Sequence, residues 1–377
     1  MKGLRLGILV GAVALGLLAP ATAEASVPAP RDTPSWARAQ VLWTLNNGWL
    51  GLSGDGLFHP GRPATRLGAA KVLVNANAAL NQLPATDDPY SQAVAAGWFG
   101  AGTGPYDTIT QLEFDRGMAH ILHLVNDTQR LNTLHSVDGW KPALPTGFGA
   151  EQLVRSAGAR YNAPYGADQW ETWPGSTLTR TMLAVEAYEL AHRPLSWQDD
   201  VDRTLSVTAA LPAYTPLQKA VVSRALQAVG APYVWGGTST QQQVLFGNTV
   251  SGGFDCSGFV WWVLKLHTYQ LPDGSTWSGN STIAYRSTYD MAAHLPTGKR
   301  VTRANLRPGD VVFWSSAPKG VYTNYTTVYH AGIYLGNGWV INSHGGGAGV
   351  TLDYMGAGAY WWHDAFAFGW HVLPAGK

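Results

Sequence analysis

The stretch Gly253-Phe254-Asp255-Cys256-Ser257-Gly258-Phe259-Val260-Trp261-Trp262-Val263-Leu264 contains the single cysteine of the 377-residue sequence. From Ser257 onward the run is apolar and predicts a buried helix, which places Cys256 at or near the helix start. Backbone N–H groups at a helix N-terminus lower the pKa of a thiol and favour the thiolate. The same groups can stabilise a tetrahedral oxyanion. We therefore predict that Cys256 is a nucleophile rather than an inert, packed thiol.

A β-hairpin further along the sequence supplies a candidate base. Apolar residues alternate through its first strand, and Asn337-Gly338 is a strong two-residue turn before the second strand. His330 starts the first strand and Asn342 ends the second, so their side chains are expected to lie side by side. Asn342 would then fix the tautomer of the imidazole. His344, two residues on, keeps the same facing along the strand and stays an alternative to Asn342.

These features resemble the NlpC/P60 family of papain-like peptidases, which cut peptidoglycan stem peptides. The resemblance covers about residues 215–373, and its motifs are Pro232-Tyr233-Val234-Trp235-Gly236-Gly237, Phe254-Asp255-Cys256-Ser257-Gly258-Phe259-Val260, Pro308-Gly309-Asp310-Val311-Val312-Phe313 and His330-Ala331-Gly332-Ile333-Tyr334-Leu335-Gly336. It implies an α+β fold with helices packed on an antiparallel sheet. It also implies Cys256 as nucleophile, His330 as general base and acid, and Asn342 as orienting residue, at a position where the family often has His. The implied substrate-binding residues are Tyr233, Asp255, Ser257 and Arg286.

The N-terminal half repeats itself loosely. Within residues 31–195 a helix, a Gly/Pro/aromatic loop, a Thr-Arg or Asp-Arg pair and a second helix occur three times. This order resembles the S-layer homology repeat, three of which form a pseudo-threefold, mainly α-helical module. The resemblance implies that secondary cell-wall polymer contacts the helix-start arginines and an aromatic residue near the first helix, which are Arg66, Arg116, Arg180 and Trp36. The alternative is that these arginines cap helices and pair with local carboxylates.

The remaining segments complete the domain plan. Residues 1–25 have a basic start, an apolar run and small residues at A-x-A sites, which is typical of a secretory signal peptide. We therefore expect a secreted protein, extracellular or associated with the cell wall. Residues 196–214 are polar and punctuated by proline, and we interpret them as a linker. The peptidase domain is expected over residues 215–377, beginning with a helix that Thr215 caps and that has proline at its first position.

Composition excludes several classes of function. A formal net charge of +1 gives no electrostatic footprint for nucleic acid or an anionic membrane surface. After the apolar N-terminal run, no stretch is long and apolar enough to span a membrane. The sequence has no H-x-x-H or C-x-x-C spacing, and one cysteine offers little to zinc. Neither a metal nor another cofactor is expected.

The expected activity is that of a peptidoglycan hydrolase. In the resembling family, the bond most often cut joins D-γ-glutamate to a diamino acid, and cleavage proceeds through a thioester. The same arrangement could serve an N-acetylmuramoyl-L-alanine amidase or an acyltransferase. A non-catalytic wall-binding protein is the alternative from another class. Whether the repeats bind wall polymer or cover the active site stays open, and the extra residues 238–250 are expected to form one wall of the cleft.

Overall fold

The computed structural model describes residues 28–81, 86–100, 104–161, 163–164, 166–209, 211–316, 325–345, 349–358 and 360–375. The expected signal peptide lies outside these residues. The helices are α1 (Arg38–Asn46), α2 (Arg66–Asn81), α3 (Pro89–Ala95), α4 (Gln111–Ile121), α5 (Val125–Asn132), α6 (Phe148–Ser156), α7 (Arg180–His192), α8 (Trp197–Leu205), α9 (Pro216–Leu226), α10 (Cys256–Val260), α11 (Thr288–His294) and α12 (Tyr360–Asp364). The strands are β1 (Thr238–Ser239), β2 (Gln243–Leu245), β3 (Asn248–Val250), β4 (Gly253–Phe254), β5 (Tyr269–Gln270), β6 (Thr276–Trp277), β7 (Arg300–Val301), β8 (Val311–Ser315), β9 (Val328–Gly336), β10 (Trp339–His344), β11 (Gly349–Tyr354) and β12 (Phe366–Trp370). Among the described residues, no helix has the length and apolar character needed to cross a membrane.

Helices α1–α8 form a module, here called the helical module, that closes on itself through three equivalent loops. The Ala64 N–H donates to Leu178, the Leu178 N–H to Ile109, and the Ile109 N–H back to Ala64, with N···O distances of 2.8, 2.9 and 3.1 Å. These bonds form a ring in which each loop is paired with the other two. The three loops are therefore related by a pseudo-threefold arrangement of backbone bonds.

The ring corrects one of the sequence-based equivalences. A second set of backbone bonds joins Arg66 N–H to Asp107, Gln111 N–H to Ser176, and Arg180 N–H to Arg62. Gln111, capped by Thr110, therefore occupies the helix start that Arg66 and Arg180 occupy in the other units. Arg116 was predicted there, but it lies in the middle of α4 on an exposed face. The prediction for Arg116 was wrong because Asp115-Arg116 has a sequence pattern similar to that of the Thr-Arg pairs in the other two units.

Residues 196–214 also differ from the prediction, because they are not an extended linker. Helix α8 fills residues 197–205 and packs against α6 and β11. Its buried face is short and consists of Val201, Thr204 and Leu205, whereas the rest of the helix is polar. A helix with so few apolar residues resembles a polar linker in sequence. The next helix was predicted well, since Thr215 and Gln218 form a capping box at the start of α9, with Pro216 at its first position.

The C-terminal domain is built on a six-stranded antiparallel sheet with the order β11-β10-β9-β8-β12-β7. Helix α10 packs against β9 and β10. Strands β9 and β10 form the expected hairpin, in which Asn337 and Gly338 both have positive φ (49° and 86°), as a tight primed turn requires. The expected α+β architecture is therefore present, with mainly helical structure before it. The S-layer homology character of that first part stays a prediction.

The helical module packs on the edge strand β11, and both parts share one hydrophobic core. The buried side-chain amide of Gln152 on α6 donates to the Leu352 carbonyl oxygen (3.1 Å) and accepts from the Leu352 N–H (2.9 Å). The amide thus gives a hydrogen-bond partner to both the N–H and the carbonyl oxygen of Leu352, groups that an edge strand otherwise exposes. Next to it on α6, Arg155 donates to the carbonyl oxygen of Gly230 at 3.1 Å.

A close backbone contact beside this interface gives a stability prediction. A Cβ added at Gly149 would lie 2.2 Å from the carbonyl oxygen of Thr128, where α5 and α6 meet. We expect Gly149→Ala to lower the free energy of unfolding by about 2 kcal/mol, because one of the two helices has to move. The measurement is urea unfolding followed by circular dichroism. Gly175→Ala is the control, since nothing lies within 4 Å of its added Cβ; equal midpoints for the two variants would contradict the prediction.

Candidate active site

Cys256 is the first residue of α10, as predicted. The Asp255 carboxylate caps this helix by accepting the Gly258 N–H at 2.6 Å. The Cys256 Sγ lies 3.3 Å from the Thr288 Oγ1 and 4.0 Å from the carbonyl oxygen of Tyr329. The thiol is therefore held between a helix start and the strand that carries His330.

The electrostatic surroundings favour a neutral thiol, contrary to the expected lowering of its pKa. Burial, with the negative charge of Asp255 second, raises the pKa of Cys256 above its ordinary value. The hydrogen bonds from Thr288 and from the backbone N–H groups of Ala331 and Ser257 oppose this but are smaller. The helix-start effect is real but is outweighed by the desolvation of a buried anion.

His330 and Asn342 meet as the hairpin predicted. The Nε2 of His330 lies 2.8 Å from the Oδ1 of Asn342, and both residues are buried. Burial and, to a smaller extent, the proximity of His344 lower the pKa of His330 to about 3, and the hydrogen bond to Asn342 opposes this shift. His344 does not take the orienting position, because its Nε2 faces Thr351 at 3.4 Å and Asp353 at 3.7 Å.

The four expected substrate-binding residues line one cleft with Cys256 and His330, and three of them form a single hydrogen-bonded group. The Arg286 guanidinium donates to the two carboxylate oxygens of Asp255 at 3.0 and 2.8 Å and to the Ser257 Oγ at 2.6 Å. The Ser257 hydroxyl in turn donates to Asp255 at 3.0 Å. Burial strongly raises the pKa of the Tyr233 hydroxyl, and the charges of Asp255 and Arg286 act on it as well.

The cleft has a volume of about 960 Å³, which is in the range of peptide and small-molecule sites. All the described residues that line it belong to the C-terminal domain, so the helical module does not cover it. None of the extra residues 238–250 lines it, contrary to expectation. They form a small hairpin instead, whose strand β3 contacts the short helix Asp168–Trp170 of the helical module.

Sequence reasoning missed several residues of the site. Thr288 contacts the sulfur, Asp353 accepts the Nδ2–H of Asn342 at 2.8 Å, and Trp361 and Trp362 line the cleft beside His330. Thr351 and Asp353 are two residues apart on β11, so their side chains lie on one face of the sheet. A prediction that a third strand pairs with the hairpin would have placed both on the face of Asn342. Trp361 and Trp362 lie in α12, which has only five residues and is therefore too short to show a helical pattern in the sequence.

The expected wall-polymer residues do not converge on one place. Arg66 pairs with Glu113 and donates to the carbonyl oxygen of Gly100. Arg180 donates to the carbonyl oxygens of Phe58 and Gly51 at 2.7 and 2.6 Å. Both arginines therefore hold neighbouring units together.

The other two expected contacts differ from this pair. Trp36 is half-buried and packs against Trp170, with ring centroids 6.2 Å apart. Arg116 alone lines a surface groove, together with Trp98 and Phe99.

No metal site is found in the part of the chain that the structure describes, where no cluster of His, Cys, Asp or Glu side chains could hold an ion. His371 bonds to both carboxylate oxygens of Asp310 at 2.9 Å, and His363 bonds to Asp364 at 3.0 Å. Both histidines therefore pair with neighbouring carboxylates.

The contact between Thr288 and the sulfur gives a prediction. Because the hydroxyl stabilises the thiolate, Thr288→Val should raise the pKa of Cys256 further and slow its alkylation by iodoacetamide at neutral pH by about two- to tenfold. The alkylation rate is measured across pH 6 to 10. Thr249→Val, a substitution of the same size on the exposed strand β3, is the control. An unchanged pH profile in Thr288→Val would show that the hydroxyl does not act on the thiolate.

Part of this chain is similar in sequence to known proteins. Residues 230–368 match the model of the NlpC/P60 family. The probable endopeptidase Rv2190c of Mycobacterium tuberculosis is 35% identical over 136 residues, which are 36% of this chain and 26% of that protein. The murein DD-endopeptidase MepH of Escherichia coli is 29% identical over 144 residues (38% and 42%), and the gamma-DL-glutamyl hydrolase of Bacillus subtilis is 35% identical over 143 residues (37% and 26%).

The match is confined to one part of each protein. The aligned region spans 26% to 42% of the length of these relatives. A solved NlpC/P60 family protein from Bacillus cereus ATCC 10987 is 24% identical, with 44% of this chain and 41% of that chain covered and a TM-score of 0.29. NlpC/P60 endopeptidases are hydrolases that act on peptidoglycan. Residues 230–368 of this chain are therefore similar to the NlpC/P60 family of peptidases.

Proposed function

We propose that this chain is a secreted peptidoglycan hydrolase, a cysteine endopeptidase that cleaves stem peptides between D-γ-glutamate and a diamino acid. The observation that carries the proposal is the buried Cys256 thiol beside His330, whose outer nitrogen is bonded to Asn342. In this proposal Cys256 is the nucleophile, His330 the base and Asn342 the orienting residue of an acyl transfer. The basic start and apolar run of residues 1–25 support export.

Because the pKa of the Cys256 thiol is raised and that of His330 is lowered, both groups are neutral at rest, and the reaction starts with a proton transfer between them. As the Cys256 sulfur attacks the carbonyl carbon of the peptide bond, its proton passes to His330, and the carbonyl oxygen becomes an oxyanion. The carbon–nitrogen bond then breaks, and His330 returns the proton to the leaving amine. Water hydrolyses the resulting thioester, with His330 taking a proton from the water and giving it to the sulfur. His330 is protonated in each tetrahedral intermediate and is neutral again once the amine or the sulfur has taken the proton.

The bonded group of Arg286, Asp255 and Ser257 supports recognition of a charged, polar substrate. Asp255 stays fixed by Arg286 and by the Gly236 N–H at 3.0 Å, and about a third of the Arg286 side chain is exposed. The group thus presents both signs of charge at the cleft beside the nucleophile. A stem peptide carries free amino and carboxyl groups that such a surface can bind.

The comparisons support peptidoglycan as the substrate but leave the bond to experiment. One relative is named for a DL bond and another for a DD bond. Of the two, the D-γ-glutamyl bond is our proposal. An amidase cutting next to muramic acid, or an acyltransferase, would use the same three residues and would leave different termini.

Digestion of defined muropeptides tests the activity. We expect the protein, produced without residues 1–25, to release fragments with a new amino terminus on the diamino acid, identified by mass spectrometry. Cys256→Ala should lower the rate by at least about a thousandfold, because no other side chain supplies the nucleophile. Cys256→Ala also controls for contaminating hydrolases. New termini at D-alanine or at the muramyl lactyl group would replace the proposed bond, and the absence of any new terminus would refute the enzyme.

We further propose that the helical module binds the cell wall, and the observation that favours this is the groove at Arg116. The groove has a volume of about 360 Å³ and is lined by the exposed guanidinium of Arg116 and by the largely buried rings of Trp98 and Phe99. A guanidinium binds the anionic groups of a wall polymer. Arg66 and Arg180 have carbonyl or carboxylate partners inside the module, which favours Arg116 over them.

Sedimentation with purified sacculi tests the anchoring role. In the Cys256→Ala background, which leaves the wall intact, Arg116→Ala should weaken binding about three- to tenfold through loss of a charge-assisted contact. Arg38→Ala, which removes another exposed arginine of the module, is the control. Equal sedimentation of the two variants would rule out the groove, and no sedimentation of the parent protein would rule out anchoring.

A further inference from the structure

A carboxylate behind Asn342 determines which way the asparagine side chain points. The Nδ2 of Asn342 donates to the Oδ2 of Asp353 at 2.8 Å. A carboxylate oxygen only accepts hydrogen bonds, so the amide nitrogen has to face Asp353. The Oδ1 of Asn342 then has to face His330, where it lies 2.8 Å from Nε2.

This orientation selects the tautomer of the base. Because the Oδ1 of Asn342 is an acceptor, the Nε2 of His330 carries the proton. The Nδ1 is then the nitrogen that can take a proton from the thiol. Contacts of the sulfur with the backbone of Tyr329 and Ala331, on either side of His330, agree with transfer to the nitrogen nearer the main chain.

The part of β11 that carries Asp353 is held from both domains. The Oδ2 of Asp353 accepts from the Thr351 hydroxyl at 3.0 Å and lies 3.7 Å from the Nε2 of His344. The neighbouring residue Leu352 is bonded through both backbone groups to Gln152 of the helical module. Asp353 also faces a cavity of about 400 Å³ that residues of both domains line, so its surroundings depend on the interface.

We propose that Asp353 is a positioning residue that fixes the tautomer of His330 through Asn342, and that Gln152 of the helical module holds the strand that carries it. The proposal rests on the proposed peptidase function and adds a second role for the helical module. Through Gln152 and β11, the module acts on the tautomer of His330 from the edge of the sheet, without contributing a side chain to the cleft.

The test combines kinetics with the tautomer of His330. Asp353→Asn can turn either its oxygen or its nitrogen toward Asn342, so the orientation is no longer imposed. We expect kcat on the muropeptide to fall about 10- to 100-fold, with KM within about twofold. In ¹⁵N-histidine-labelled protein, the His330 signals should change from the Nε2-protonated form to a mixture of tautomers. The His330→Ala variant assigns these signals.

A reciprocal exchange separates positioning from simple stability. In Asn342→Asp combined with Asp353→Asn, the new carboxylate at position 342 accepts from the Nε2 of His330. The new amide at position 353 donates to that carboxylate, so position 342 again presents an acceptor to His330. The double variant should recover the single tautomer and most of the lost kcat. Asp202→Asn, a carboxylate-to-amide change on the exposed face of α8, is the matched control.

Gln152→Ala tests the link to the helical module. It should lower kcat about three- to tenfold and shift the tautomer in the same sense as Asp353→Asn, while circular dichroism shows a folded protein. A change in thermal midpoint without a tautomer shift would overturn this half of the proposal.

Two outcomes overturn the role of Asp353. One is an unaltered tautomer with kcat within about twofold of the Asp202→Asn control, and the other is a double variant no better than Asp353→Asn alone. If the parent protein cleaves no muropeptide, the peptidase function fails, while the tautomer measurements still decide the positioning role.

Discussion

The hydrogen bond between His330 and Asn342 is the interaction on which the arrangement of the C-terminal domain depends. It joins two neighbouring strands, so it exists only in one register of the β9–β10 hairpin. The Asn337-Gly338 turn sets that register, since a slip of one residue would turn Asn342 to the opposite face of the sheet. Helix α10 then has to pack on the same two strands to bring the sulfur to the imidazole. One side-chain contact thus constrains a turn, a register and a helix position.

The interface with the helical module stabilises the same part of the sheet from outside. Gln152 satisfies the exposed edge of β11, and behind it lies a buried cluster of charges formed by Arg155, Arg160, Asp115, Glu151, Glu171 and Glu186. Arg160 bonds to Glu186 at 2.7 Å, and Gln111 bridges Glu186 and Asp115 at 2.7 and 2.8 Å. Burial raises the pKa of Asp115, Glu171 and Glu186, so their charge depends on the intact cluster. Such a network is costly to rearrange and gives the interface a defined geometry.

Local pattern was enough to predict where Cys256, His330 and Asn342 lie, because each sits at a helix start or on a hairpin that short-range chemistry defines. Thr288 and Asp353 could not be predicted in the same way. They reach the site through long-range packing, from a separate helix and from the third strand of the sheet. The direction of the Cys256 pKa was wrong for a related reason, since the helix start is visible in sequence but the degree of burial is not. The sequence shows three loosely similar units, but the equivalence of Gln111 with Arg66 and Arg180 required the backbone bonds between them.

The ring of backbone bonds at Ala64, Ile109 and Leu178 has a consequence for how the helical module can fail. In an open array of repeats, an end unit can fray while its neighbours persist, because each unit touches only the next. Here the third unit is bonded back to the first, so the module has no end unit. Loss of any one unit removes two of the three junctions at once. Such a closed arrangement is expected to melt as one cooperative body, with no stable two-unit remnant.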